Sequence, residues 1–222
     1  MKSFKIATMG LCMLAVCSCS TKQGTGALIG TGAGTVLGGI IGKISGNTAV
    51  GAAIGGAVGA GTGALIGKHM DKVAAETAAQ VKNAKVEEVT DANGLKAVKV
   101  TFDSGILFDL NQATLNSSSK KELAKFSNVL KDNSSCHVDI YGYTDRSGND
   151  AINVPLSQKR AQSVANYLSS CGVSNAQMQN VVGKGSQDEI ENKRVSKVNR
   201  RVEVYLYASQ AMIDAANAGT LN

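Results

Sequence analysis

Sixteen of the 25 glycines in this 222-residue chain fall between residues 24 and 67, and they keep a phase. Gly26, Gly30, Gly34, Gly38, Gly42 and Gly46 recur every four residues. After Lys43 and Asn47 interrupt, Gly51, Gly55, Gly59, Gly63 and Gly67 do the same. A period of four excludes collagen, which needs three. It suits a helix with one smooth face, on which a second backbone can approach closely. The intervening residues are mainly Ala, Val, Leu, Ile and Thr. The uncharged runs 24–42 and 48–67 are therefore each near the ~20 residues that span a bilayer. The pattern predicts a helical hairpin. Glycine leaves both runs only mildly hydrophobic, so crossing a membrane and self-association both stay open. Any globular body must come from the residues after 67. With no Trp, four Phe and five Tyr, its core must be small and aliphatic.

The N-terminus reads as a targeting segment. Lys2 and Lys5 precede an apolar run from Ile6 to Val16, followed by small residues. That is the organisation of a secretory signal peptide. Val16 at −3 and Ser18 at −1 before Cys19 resemble a bacterial lipobox, making residues 1–18 a lipoprotein signal peptide and Cys19 the acylated residue. Cys17 is the competing site, with the bulkier Val16 at its −1 position. Several acyl chains on one cysteine anchor stably where one chain is marginal. Only Cys136 and Cys171 are then left in the mature body, in an exported compartment where disulfides persist.

Residues 68–83 are polar and Ala-rich, with Val73, Thr77 and Val81 at helical spacing, and read as a linker or short helix. Alternating valines in 84–90 and 95–102 flank an Asn93-Gly94 pair, the signature of a hairpin. Both turn residues tolerate positive φ. Ile106, Leu107 and Phe108 read as a third short strand or an extension of the second. Ser119 to Glu122 has the spacing of a capping box, opening a helix with Leu123, Phe126, Val129 and Leu130 inward. Residues 136–143 form a strand with Val138, Ile140 and Gly142 on one face. A helix over 154–170 follows, with Asn153 a plausible N-cap, Pro155 in its first turn and Gly172 as its C-cap. Val181–Gly185 and Arg201–Tyr207 are strands around a charged loop, and 209–222 is a frayed helical tail. The order βββαβαββ over 84–208 predicts an α+β sandwich with a mixed sheet. A β-loop-α unit brings Cys136 and Cys171 to one end, opposite the 143–149 loop. A Cys136–Cys171 disulfide is expected there, two buried thiols being the alternative.

One residue breaks the pattern. Ala161, Val164, Ala165 and Leu168 form an apolar stripe at helical spacing. Arg160 lies angularly between Leu156 and Val164, beside that stripe. A guanidinium held there requires an anionic partner, from the protein or from a ligand.

Four motifs carry a resemblance. Asn153-x-x-Leu156-Ser157-x-x-Arg160-Ala161-x-x-Val164-x-x-x-Leu168 resembles the signature helix of OmpA-like peptidoglycan-binding domains. Gly142-Tyr143-Thr144-Asp145-x-x-Gly148 resembles their GHTD-type loop, with Tyr143 where His is common. Phe108-Asp109-x-Asn111-x-Ala113-x-Leu115 and Asn199-Arg200-Arg201-Val202-Glu203 match the element before the first helix and the closing strand. Together with the lipobox and the glycine zipper, the chain resembles YiaD-type outer-membrane lipoproteins. The resemblance implies an OmpA-like βαβαβ(β) sandwich. It also implies a ligand, the diaminopimelate side chain of the peptidoglycan stem peptide. Its far end carries one ammonium and one carboxylate. Asp145 suits the first and the fork of Arg160 the second, bidentately, as Lys would not. Asn111, Thr144 and Asn153 would add neutral hydrogen bonds, and Arg200 or Arg201 would line the rim.

The expected function is a non-enzymatic tether between the outer membrane and the cell wall, lipid-anchored, with its C-terminal domain in the periplasm and a homo-oligomer through the zipper as a further partner. The alternative is a zipper oligomer, pore or envelope-assembly component that peptidoglycan binding only positions. A proton-driven motor needs an ionisable residue in its span, and runs 24–42 and 48–67 have none. The two histidines, His69 and His137, belong to no metal-ligand or nucleophile-base pattern, so neither catalysis nor a cofactor or metal is expected. The net charge of +6 comes without a basic cluster interleaved with aromatics, so no nucleic-acid partner is expected.

Overall fold

The computed structural model describes residues 59–91, 93–108 and 111–221. The expected signal peptide, Cys19 and most of the glycine hairpin lie outside the described residues. Ten elements follow in order: α1 (Ala60–Gln80), β1 (Ala84–Thr90), β2 (Lys96–Asp103), α2 (Ser104–Leu107), α3 (Ser117–Asp132), β3 (Cys136–Gly142), α4 (Asp150–Ser170), β4 (Met178–Gly183), β5 (Arg201–Ala208) and α5 (Gln210–Asn217). The sheet order is β1-β2-β5-β3-β4. Only β3 and β4 are parallel, joined by α4 as a crossover; the other pairs are antiparallel. This is the mixed-sheet α+β sandwich that the alternation implied.

Period-two alternation sorts the sheet into two faces. Val98, Val100, Phe102, Val138, Ile140, Val202, Val204 and Leu206 join the buried residues of α1, α3, α4 and α5 in one core. The opposite face carries Ala97, Tyr141, Tyr143 and Tyr205. Two glycines let α4 lie close on the sheet. A Cβ on Gly142 would stand 2.2 Å from the Ser157 carbonyl oxygen, and one on Gly183 would stand 2.1 Å from the Gln158 nitrogen.

Several local expectations change. The apolar Ile106-Leu107-Phe108 is not a strand. Asp103 Oδ1 accepts from Gly105 N at 2.6 Å and caps the short helix α2. Phe108 then pairs across an isolated bridge with Leu115. Among the described residues of the β1–β2 connection only Gly94 takes positive φ (+76°). The loop is closed by Asp91, whose Oδ1 accepts from Asn93 N and Leu95 N at 2.8 and 2.9 Å. Helix α3 starts two residues before Ser119, because Asn116 Oδ1 takes the Ser119 N–H at 2.9 Å. Helix α4 starts at Asp150, with Asn149 rather than Asn153 as its cap. That moves Pro155 into the second turn, where the unpaired carbonyl it leaves belongs to exposed Ala151. The C-terminus of α4 is as expected. Gly172 has φ +93°, and Val173 N donates to Leu168 O while Gly172 N donates to Ser169 O, the two bonds of a Schellman motif.

The chain ends are part of the core. Met212, Ile213 and Ala216 of α5 are buried, so the tail is a docked helix and not a frayed one. Helix α1 begins inside the glycine run and buries Ile66, Met70, Val73 and Ala74. Thr62 Oγ1 donates to Asn217 Oδ1 at 2.6 Å, tying α1 to α5. No helix among the described residues is long and apolar enough to cross a membrane. The expected Cys136–Cys171 disulfide is not formed: both cysteines are free. Cys136 points into the core, its Sγ 3.9 Å from Met70 Sδ, whereas Cys171 lies half-buried at the end of α4.

Candidate functional site

Strand pairing sets Asp103 opposite Arg201 and Gly142 opposite Val202. The end of β2, the end of β3 and the start of β5 therefore meet at one end of the sheet's interior strands. The loop after β3, the loop before β5, α2 and the first turns of α4 enclose a cavity there of about 700 Å³. Asn111, Thr144, Asp145, Asn153, Arg160 and Arg200 all line it, with Phe108, Leu156 and Ile152 as apolar wall.

Arg160 is 4 % exposed. Its Nε donates to Gln112 O at 3.1 Å, and its guanidinium lies 5.3 Å from the centre of the Phe108 ring. Its Nη1 is buried with no hydrogen-bond partner among the described residues. Burial and the nearby charge of Arg200 pull its pKa down, with Asp145 opposing them. Thr144 donates its N–H to Gly185 O at 2.7 Å, while its hydroxyl is buried and also without a partner among the described residues. Leaving such groups unmade costs about 1–3 kcal/mol each, more for a charge.

Asp145 is 2 % exposed and makes the contacts Arg160 lacks. Oδ1 accepts from Ser147 N at 3.1 Å and from Ser147 Oγ. Oδ2 accepts from Ser196 N at 3.1 Å and pairs with Arg200 Nη1. Burial raises its pKa, but the hydrogen bonds from Ser147, Arg200 and Ser196 outweigh that and hold it below the ordinary carboxylate value. The internal partner of Asp145 is thus Arg200, not Arg160. Asn153 Nδ2 donates to Asp145 O and Gly148 O, each at 3.0 Å, which spends its donors on shaping the loop. Asn111 is exposed at the rim with φ +57°, a conformation Asn tolerates.

Residues 107–203 match the OmpA family model, and residues 1–71 match that of the YMGG-like Gly-zipper. Residues 107–203 are thus OmpA-like. The chain is 32 % identical over 128 residues to outer membrane protein P5 of Haemophilus influenzae, covering 56 % of this chain and 36 % of that protein. It is 35 % identical over 103 residues to outer membrane protein A of Shimwellia blattae, covering 46 % and 42 %. The chain thus spans less than half the length of these relatives. In fold it is similar to a MotB-like protein from Desulfovibrio vulgaris, at TM-score 0.55 and 20 % identity over 67 % of this chain and 96 % of that one. It is also similar to the cell wall anchor of the T6SS from Pseudomonas aeruginosa, at TM-score 0.51 and 21 % identity over 63 % and 97 %.

Within this OmpA-like region one expected rim residue is elsewhere. Arg201 sits on the opposite face of the sheet, stacked 3.8 Å from the Tyr143 ring centre and bonded through Nε to Glu203 Oε1 at 2.7 Å. The parity of β5 holds the reason: Val202, Val204 and Leu206 face the helices, so Arg201 and Glu203 cannot. Ser196, Ser147 and Gln112 form the site without having stood out in the sequence. Asn199 is wholly buried and folds the loop before β5: its Oδ1 accepts from Ile190 N and Glu191 N, and its Nδ2 donates to Glu191 O.

Proposed function

We propose that this protein is a non-enzymatic tether that binds peptidoglycan at the cavity between β3 and α4 and is held to the outer membrane through acylated Cys19, with the OmpA-like domain in the periplasm. The observation that carries the reading is that two buried groups without a hydrogen-bond partner among the described residues, Arg160 Nη1 and Thr144 Oγ1, belong to side chains lining one open cavity. Both can donate to a carboxylate. The carboxylate of Asp145 lines the same cavity and is the group for an ammonium. A ligand head with both charges, such as the free end of diaminopimelate, matches that pair. Asn111 and Asn153 contribute at the rim or through the loop. The names of the relatives, outer membrane proteins, agree with the location.

The test is sedimentation of the full-length protein with purified peptidoglycan. Wild type is expected to pellet, and Asp145→Ala and Arg160→Ala to stay in the supernatant. Pelleting of both variants at the wild-type level refutes the site. Labelling with a palmitate analogue is expected to be lost in Cys19→Ala and kept in Cys17→Ala; the reverse moves the anchor to Cys17.

Association through the glycine zipper is a second reading. A Cβ on Gly59, Gly61 or Gly67 would meet nothing within 4 Å, so these backbone positions have room for a close neighbour. Chemical crosslinking in membranes, with Gly59 and Gly67 replaced by Leu as the comparison, separates an oligomer from a monomeric tether.

A further inference from the structure

The two halves of the proposed receptor are in opposite states. Arg160 presents a nitrogen with no partner among the described residues. Asp145 presents nothing, because its two oxygens already take Ser147 N, Ser147 Oγ, Ser196 N and Arg200 Nη1. A carboxylate has about four lone-pair positions, so an arriving ammonium finds none vacant. Of the four donors, two are backbone amides and one is a neutral hydroxyl. Arg200 is the cation among them. Its side chain is 27 % exposed against 2 % for Asp145, so it can turn out to water. Its backbone need not follow, since Arg200 O is held by Ser104 N at 2.9 Å.

We propose that Arg200 is a latch: its guanidinium occupies on Asp145 the place of a ligand ammonium, and the ligand must displace it to bind fully. This rests on reading the cavity as a receptor for a zwitterionic amino-acid head. The carboxylate docks on Arg160 and Thr144 without displacing anything. The ammonium, now tethered beside Asp145, competes with Arg200 at high effective concentration. A simple amine lacks that foothold and must evict the latch unaided. The latch thus favours ligands carrying both charges over free amines, at the expense of absolute affinity.

The experiment uses the full-length protein in detergent. Calorimetric titration with meso-diaminopimelate, D-lysine and pimelate compares wild type with Arg200→Gln. A latch that is closed about nine-tenths of the time lowers apparent affinity about tenfold, so Arg200→Gln is expected to bind diaminopimelate about that much more tightly. D-lysine gains likewise, and pimelate, which has no ammonium, does not. Equal or weaker binding of diaminopimelate by Arg200→Gln overturns the latch, as does an equal gain for pimelate. Wild type supplies a second readout that needs no substitution. Phenylglyoxal modification of Arg200, mapped by mass spectrometry, is expected to rise at saturating diaminopimelate. Protection instead overturns the latch and makes Arg200 an ordinary ligand contact. Failure of the underlying receptor is separate: it shows as undiminished diaminopimelate binding in both Asp145→Asn and Arg160→Gln.

Discussion

Arg160 and Cys136 show how far a single residue can be read before its neighbours are known. Arg160 stands out because a charge beside an apolar stripe needs a partner, and among the described residues one of its nitrogens has none. That the partner of Asp145 is Arg200 was not legible, since the loop that brings them together has no periodic pattern. Arg201 was legible in principle: the same alternation that assigns Val202 and Val204 to the core sends Arg201 the other way. Cys136 was misjudged for a related reason. Its parity with Val138 and Ile140 puts it in the core, against Met70, whereas Cys171 lies half-buried at the end of α4. Burial pushes the Cys136 thiol up to about 12, so at neutral pH it holds almost no thiolate, the species that attacks a disulfide or an alkylating agent. In native protein iodoacetamide is expected to modify Cys171 and spare Cys136, with both modified after denaturation. Mass spectrometry of the tryptic peptides reads this out. A Cys136–Cys171 linked peptide from protein purified without reductant contradicts it.

At the scale of elements, strands and helices with strong periodicity were placed well and their ends less so. The valine alternation of β2 and β5 and the apolar stripes of α3 and α4 survive intact, whereas Val86 and Val89 of β1 pack on opposite faces of the sheet. Boundaries moved where a side chain competed for the cap: Asn116 over Ser119, Asn149 over Asn153, and Asp103 in making α2 from a β-like tripeptide. The contact that most controls the site is between α4 and the parallel pair β3–β4. Gly142 and Gly183 have no side chain because α4 occupies that space. The same helix carries Arg160, Asn153 and Leu156 to the cavity, so its distance from the sheet sets the geometry of the receptor. Gly142→Ala places a methyl 2.2 Å from the Ser157 carbonyl oxygen, and backbone on both sides leaves little room to relax. A cost of about 1–3 kcal/mol is expected from overpacking of this kind. The melting temperature should fall by several degrees, with peptidoglycan binding weakened even where the protein remains folded. Unchanged melting and binding would mean that the helix floats free of this contact.

For the whole molecule the decisive element is α1, because it joins the glycine-rich run to the domain without a linker. A boundary near residue 84 was expected, from the polar composition of 68–83. The buried residues of α1 appear only when every fourth position is followed back through the glycines to Ile66, a pattern that the glycine phase hides. The consequence is a limit on length. Thr62 and Ile66 are buried against the domain, so the last part of the uncharged run 48–67 is not available to a bilayer. The 48–61 remainder would reach about 21 Å as a helix, short of the ~30 Å hydrocarbon core. The second glycine run is therefore expected not to cross a membrane by itself. The chain contains no Trp, so Leu65→Trp gives a single reporter. Leu65 is 40 % exposed on α1, and the substitution disturbs no core contact. In protein reconstituted into vesicles its fluorescence should be quenched by aqueous iodide and not by brominated lipid chains. The opposite pattern, with protection from iodide and quenching by the lipid, would place α1 in the bilayer and detach it from the domain on which the receptor is built.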